Sequence, residues 1–272
     1  NGEIRNKEHY VNDRLDGLSK YYYSNGNLHY EMRFKKGILE RLAKEYYTDK
    51  FIKNEIEYKN GQWDGVVKEY NGISKIYYLT GQLKWKTNFQ NGHMEGQSIF
   101  YTRNGNSIFE ANFMNSQLNG DVKENYEDGR LKSLTRYKDD KKQGLSQKYF
   151  KNGTLKVEQN YEEGKKIGIS KEYYDDGTLW MERNYINAKH DGTLKEYYKT
   201  GQIKQEWAIK EGLLHRESKG YYKTGELMTE EFYVKGKRHG ISRLYYKNAE
   251  LAYEDTYVDG VRVNRKIYNK EN

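Results

Sequence analysis

Six histidines and a row of glutamates are the side chains with which this chain could do acid–base or metal chemistry. His9, His29, His93, His190, His215 and His239 are spread along the whole length, and no two stand at the spacing that metal ligation requires. His93, His190, His215 and His239 fall in or beside turn sequences, so solvent is their expected environment. Glutamates recur at one place in a pattern: Glu31, Glu55, Glu110, Glu158, Glu182, Glu206, Glu230 and Glu254. Two carboxylates flanking a glycosidic bond can cleave it. A carboxylate repeated along the chain defines no unique site, however, and Lys53, Lys84, Lys132, Lys156 and Lys204 stand nearby as cross-strand charge partners. Without cysteine there is no thiolate nucleophile, disulfide or cysteine-based metal site. The glycines mark turns rather than a phosphate-cradling loop. The chain is therefore expected to carry no catalytic residue, no metal and no cofactor.

What positions these side chains is a repeat, the first thing to look for in such a sequence. With the opening glycine of "GISKEYYDDGTLWMERNYINAKHD" as origin, units begin at 17, 41, 72, 96, 120, 144, 168, 192, 216 and 240, every step but one being 24 residues. The exception is an insertion at 65–71, "GVVKEYN", which reads as an extra first strand. Residues 1–16 are a half-repeat, 17–64 repeats 1 and 2, 72–263 repeats 3–10, and 264–272 a partial repeat, so a single array accounts for 1–272. Each unit opens with a segment like "GISKEYY", turns at "DDG", "KTG" or "KNG", and returns with a segment like "TLWMERNY". Glycine accepts the positive φ of a tight hairpin turn. The return segment alternates apolar and polar residues, as in Leu28, Tyr30, Met32 and Phe34, which predicts a strand with one buried face and the glutamate on the other. The fold class is all-β: an elongated, single-layer, twisted antiparallel meander of ten hairpin repeats. At ~4.8 Å per strand it would extend on the order of 100 Å.

Composition agrees. The 272 residues are 35% hydrophobic and 32% charged with a mean hydropathy of -1.18, too polar for a thick core, yet 29 are tyrosine and none is proline. Proline would cost a ladder hydrogen bond in a central strand. A tyrosine pair recurs as Tyr22 and Tyr23, Tyr46 and Tyr47, Tyr77 and Tyr78, Tyr173 and Tyr174, Tyr197 and Tyr198, Tyr221 and Tyr222, and Tyr245 and Tyr246. Neighbours on a strand point to opposite faces, so each face gains an aromatic row in place of a core. The net charge of +8 comes from lysines interleaved with glutamates, as in "KEYYKTGQIKQE", and this argues against nucleic acid as a partner.

The pattern carried by Tyr173, Tyr174, Gly177, Leu179, Glu182 and Tyr185, and by their counterparts one period away, resembles the MORN repeat superfamily. The resemblance is closest to the bacterial MORN-variant repeat of YwqK-family antitoxin-like proteins, and it covers the chain from Gly2 to Tyr268. It implies a scaffold or protein-binding array, an antitoxin or immunity protein that neutralises a toxin, or a lipid- or membrane-surface module. Departures from the pattern stand at Arg41, Lys50, Ser116, Asp140, Ala188, Arg216 and Ala249. The expected function is non-enzymatic protein binding through an extended aromatic and charged sheet. Candidate surface residues are Trp63, Trp85, Trp180 and Trp207, which break the consensus, with Tyr173, Tyr197, Tyr221 and Tyr245. The chain opens at Asn1 rather than methionine, and an exported or cell-surface bacterial protein is expected ahead of a cytoplasmic one.

Overall fold

The computed structural model describes residues 4–62, 72–186 and 188–268. The insertion at 65–71 and Trp63 lie outside them. Regular structure among the described residues is all β-strand, and every pairing is antiparallel. The chain divides into two compact units, Asn1–Lys141 and Lys142–Asn272, each a meander of hairpins. In the first unit a small extra hairpin, Tyr10–Val11 with Arg14–Leu15, stands apart from the main sheet.

One period shows how the sequence builds the sheet. Lys165–Tyr173 pairs with Leu179–Ile186, which pairs in turn with Lys189–Tyr197. In the first turn the Tyr174 N–H donates to the Thr178 carbonyl at 2.8 Å and the Gly177 N–H to the Tyr174 carbonyl at 3.0 Å, with Gly177 at φ 89°. The ladder slips between Glu172 and Tyr173, so Tyr173 faces Leu179, Glu172 faces Met181, and Trp180 is the extra residue of a bulge. The second turn has two residues, as at Glu163 and Gly164, with φ 47° and 78°. Consecutive left-handed residues make a type I′ turn, whose twist matches that of the strands it joins. Ser116, Asp140, Ala188 and Ala249 hold φ near 65° although they lack glycine's freedom, so these departures leave the path of the chain unchanged.

Two strands per unit were expected, and several units have three. Lys165–Tyr173 and Leu213–Tyr221 run unbroken from the second turn into the next repeat. Elsewhere this stretch divides, as in His93–Met94 before Gly96–Tyr101 and Gln117–Leu118 before Gly120–Asn125. The residue between the pieces, Glu95 or Asn119, turns its N–H back to Asn88 or Asn112 at 2.9 and 2.8 Å, outside the regular ladder.

The register sorts side chains by face. One face carries a charge ladder: in the second unit Glu158, Lys171, Glu182, Lys195, Glu206, Lys219, Glu230, Arg243, Glu254 and Lys266 are successive cross-strand partners. The first unit runs Lys20, Glu31, Lys44, Glu55 and Lys75 in the same way. The opposite face carries a row of small side chains, with Ser19, Ser74, Ser98, Ser146, Ser170, Ser218 and Ser242 all buried. Flanking this serine row, the first unit pairs Phe34 with Leu39, Phe89 with Met94 and Phe113 with Leu118. Phe34 and Leu39 are buried with Met32, the nearest thing to a conventional core.

Left-handed backbone costs a residue with a Cβ ~1–2 kcal/mol, partly offset by glycine's greater freedom when unfolded. Ala249→Gly is therefore expected to raise the stability of the fold by about 0.5–1 kcal/mol, and Gly177→Ala to lower it by at least as much. Urea unfolding of the two variants beside the parent checks both signs.

Candidate binding surfaces

The tyrosine pair joins neighbouring repeats. The first tyrosine donates its hydroxyl proton to the ladder glutamate of the preceding repeat: Tyr173 to Glu158, Tyr197 to Glu182, Tyr221 to Glu206 and Tyr245 to Glu230, at 2.9–3.0 Å. The second donates to the backbone carbonyl of the first tyrosine in the following repeat: Tyr174 to Tyr197, Tyr198 to Tyr221 and Tyr222 to Tyr245, at 3.0, 2.8 and 2.8 Å. Two phenol hydrogen bonds thus cross each of these junctions. The pattern spans the insertion, where Tyr77 donates to Glu55 and Tyr47 to the Tyr77 carbonyl. Where Phe150 replaces the second tyrosine, only the Tyr173–Glu158 bond remains of the pair.

Charge accompanies these bonds. Lys195 reaches Glu206 at 3.0 Å, and Arg243 reaches Glu254 at 2.9 Å and Glu230 at 3.7 Å. The ladder glutamates find their partners directly across the strands. Lys53 and Lys204 instead pair with Glu45 and Glu196, and Lys132 with Glu124. The neighbouring lysines read from the sequence were thus the wrong partners, because the bulge moves their part of the strand out of the ladder. Burial works to raise the Glu206 carboxyl, but hydrogen bonds from Lys195 and Tyr221 outweigh it and hold the group below its ordinary value. Burial, followed by the glutamate bond, pushes Tyr173, Tyr197 and Tyr221 up to about 12.

In three pairs of the second unit the second tyrosine is capped by a cation from the next repeat. Lys199 lies 5.4 Å from the Tyr174 ring centre, Lys223 6.0 Å from Tyr198, and Lys247 5.9 Å from Tyr222. The tryptophans are not gathered into one place. Trp85 donates to the Ser98 hydroxyl at 2.8 Å and stacks on Phe100 with ring centres 5.5 Å apart, on the serine face. Trp207 lies on that face between Leu194 and Ser218. Trp180, the bulge residue, leans on Tyr174 at 6.2 Å. Tyr173, Tyr197, Tyr221 and Tyr245 form one row, but with their hydroxyls turned to the charge ladder.

Six segments, residues 15–36, 70–91, 118–139, 142–163, 166–187 and 191–209, match the family model of the MORN repeat variant. The chain is a MORN-repeat protein. MORN repeats in general bind proteins or membranes. No curated protein matches this MORN array. Among solved structures, the complex TcdB2-TccC3-Cdc42 is similar at 11% identity over 95% of this chain, with a TM-score of 0.20. The Photorhabdus luminescens Tc holotoxin pore with a mutated TccC3 is similar at 11% identity over 90%, again with a TM-score of 0.20. The MORN array spans 15% and 16% of the length of those two chains, and a likeness at this score carries no argument.

One row in the second half of the MORN array was missed in the sequence. Tyr161 pairs with Lys166, Tyr185 with His190, Tyr233 with Arg238 and Tyr257 with Arg262. These pairs replace the Phe–Leu and Phe–Met pairs of the first unit. The signal was a tyrosine followed five residues later by a basic residue in four of the second unit's five repeats, Ile209 with Leu214 being the exception, and it becomes legible once the two-residue turn fixes the register. His190, expected in solvent, is half-buried beside Tyr185 at 5.7 Å between ring centres. Burial, then the charge of Arg183, pushes its imidazole below its ordinary value.

A phenol held above its ordinary value of 10 contributes stability that is whole below pH 10 and is lost as pH rises through about 12. Ultraviolet titration of phenolate is expected to be biphasic. Tyr173, Tyr197 and Tyr221 are expected to ionise in its late phase, together with loss of the β-sheet circular dichroism signal. Substituting phenylalanine at these three positions is expected to shrink the late phase, what remains belonging to tyrosines such as Tyr21 and Tyr77 that burial and a glutamate bond also hold above the ordinary value.

Proposed function

We propose that the array is a non-enzymatic protein-binding scaffold whose contact surface is the charge-ladder face. The observation that supports this reading is a recurrent exposed apolar position beside the ladder. Leu145, Ile169 and Ile241 occupy the same place in three repeats of the second unit, at 46, 54 and 47% exposure. Their cross-strand partners are Asn160, Asn184 and Thr256. Phe232, opposite Glu217 on the same line, is also exposed. Leu18 and Leu42 repeat the position in the first unit. Apolar side chains held in register on a rigid sheet, bordered by charged groups, have the composition of a protein interface: an apolar centre with a polar rim. Ion pairs along the ladder hold the flanking side chains in place, so less side-chain freedom is lost on binding.

A membrane surface is a weaker match. Lys171, Lys195 and Lys219 of the second unit's ladder each stand between carboxylates, so the line offers little net positive potential to anionic lipid. Neutralisation of a toxin is a special case of the protein-binding reading, with one dedicated partner.

Ile169 and Ile241 changed together to lysine are expected to weaken capture of a natural partner by about tenfold or more, the scale of losing buried apolar anchors. The variant's circular dichroism should be unchanged, since both side chains are already exposed. Affinity purification from the source cell with the parent and the double variant side by side checks this. A partner held equally by both overturns the assignment of this face. Loss of flotation with phosphatidylserine vesicles, with protein capture unaffected, replaces it with the membrane reading.

A further inference from the structure

On the serine face the row of tyrosines and cations behaves differently along the second unit. Toward its end every polar group in the row is committed. Tyr233 donates to Glu231 at 2.7 Å, Arg238 bonds Glu231 and the hydroxyls of Tyr233 and Tyr257, and Arg262 pairs with Asp255 at 3.7 Å. The acids stand at the position of Glu231 and Asp255. One, two and three repeats earlier than Glu231, that position holds Trp207, Arg183 and Gln159.

The consequence is a set of uncommitted groups at 159–190. Lys166 lies 4.9 Å from the Tyr185 ring centre, and among the described residues it meets no carboxylate at ion-pair distance. The hydroxyls of Tyr161 and Tyr185 have no hydrogen-bond partner among the described residues. Of the four buried side-chain polar atoms without a partner in the described chain, two are here: Gln159 Oε1 and His190 Nε2. Buried polar atoms are rarely left unpaired without a reason. The acids beside Met181 on this face, Glu172 and Glu196, are engaged by Arg183 and Lys204.

We propose that Tyr161, Lys166, Tyr185 and His190 bind an extended acidic segment of a partner protein, laid across the strands with a carboxylate at every third residue. The spacing comes from the sheet. Two strands per repeat at ~4.8 Å place equivalent groups about 10 Å apart, and three residues of extended chain at ~3.3 Å each cover the same distance. Lys142, 5.0 Å from the Tyr161 ring centre, continues the period one repeat before Lys166, and His190 stands one repeat after it, an imidazole that becomes a cation only when it takes up a proton. Carboxylates would meet the cations, and backbone carbonyls the phenol hydroxyls. The cations are half-buried between tyrosine rings, which suits a chain one residue wide better than the plane of a bilayer. This inference rests on the protein-binding reading above but assigns a different face.

The test is fluorescence anisotropy with a labelled peptide of the repeating sequence Glu-Gly-Ser, against a peptide of the same composition with its glutamates in one block. The spaced peptide is expected to bind the parent more tightly than the blocked one. Lys166→Glu should weaken it by about tenfold, the scale of one charge-assisted contact, and Tyr185→Phe by a smaller but measurable factor. Lys237→Glu, the same charge change at an exposed strand position beside a turn, should leave it within about twofold of the parent. The proposal is overturned if the spaced peptide does not bind, if both peptides bind alike, or if Lys166→Glu and Lys237→Glu weaken binding equally. It is also overturned if Lys166 governs flotation with phosphatidylserine vesicles while neither peptide binds. A natural partner that is lost with Ile169 and Ile241 but not with Lys166 sinks this inference and leaves the proposed function standing.

Discussion

Everything in this sheet depends on the phenol proton of a tyrosine reaching into the next repeat. A hairpin of this composition has too few apolar side chains to hold its neighbour by burial alone, and the position that holds the buried Met32 and Ala111 in the first unit is taken by Gln159, Arg183 and Asp255 in the second. The junction is made instead by directed bonds: one phenol to a carboxylate, one to a backbone carbonyl, and a lysine over the second ring. A hydrogen bond to a charged acceptor contributes about 1.5–3 kcal/mol, more than an ordinary neutral one. Against burial, hydrogen bonds from Lys195 and Tyr221 hold the Glu206 carboxyl below its ordinary value, so this acceptor stays ionised and ready to accept. The ion pairs therefore act less through their own modest strength than by fixing the acceptor of the phenol bond.

The two faces divide the remaining work. On the ladder face, alternating charge sets register, since a slip by one residue would carry every Lys and Glu to the other side. On the serine face, small side chains let the flanking rows close over the backbone, and what fills those rows differs between the units. The first unit uses Phe34, Leu39, Phe113 and Leu118, which satisfy themselves by contact. Apart from Ile209 with Leu214, the second uses Tyr and Lys, Arg or His, which need partners. In a repeat array each unit meets chiefly its neighbours, so local chemistry can change along the chain without disturbing the path. This freedom allows one stretch to remain uncommitted and available to another molecule.

The repeat period, the hairpins, the turns and the face of the glutamate row were legible in the sequence, because each follows from local rules: period-two alternation, glycine at left-handed positions and the length of a tight turn. Non-glycine residues such as Ala188 and Ala249 could be passed over as scattered departures because neighbouring repeats impose the turn on them. What was not legible depends on register between strands. The lysine partners of the glutamates were misassigned because the bulge at Trp180 and its equivalents is invisible in a linear pattern. The direction of the tyrosine hydroxyls was invisible for the same reason: alternation tells which face a ring takes, not which repeat its oxygen reaches. His190 read as a turn residue, but the two-residue turn folds it directly opposite Tyr185, and the ring is covered.

The central claim is that a phenol–carboxylate bond couples one repeat to the next, and a double-mutant cycle on Tyr197 and Glu182 addresses it directly. Tyr197→Phe, Glu182→Gln and the double variant would be unfolded in urea beside the parent. The account predicts a coupling of about 1–2 kcal/mol between the two side chains, with the double variant little worse than either single one. Additivity within ~0.3 kcal/mol would contradict it and would mean that the rings hold the array by packing alone.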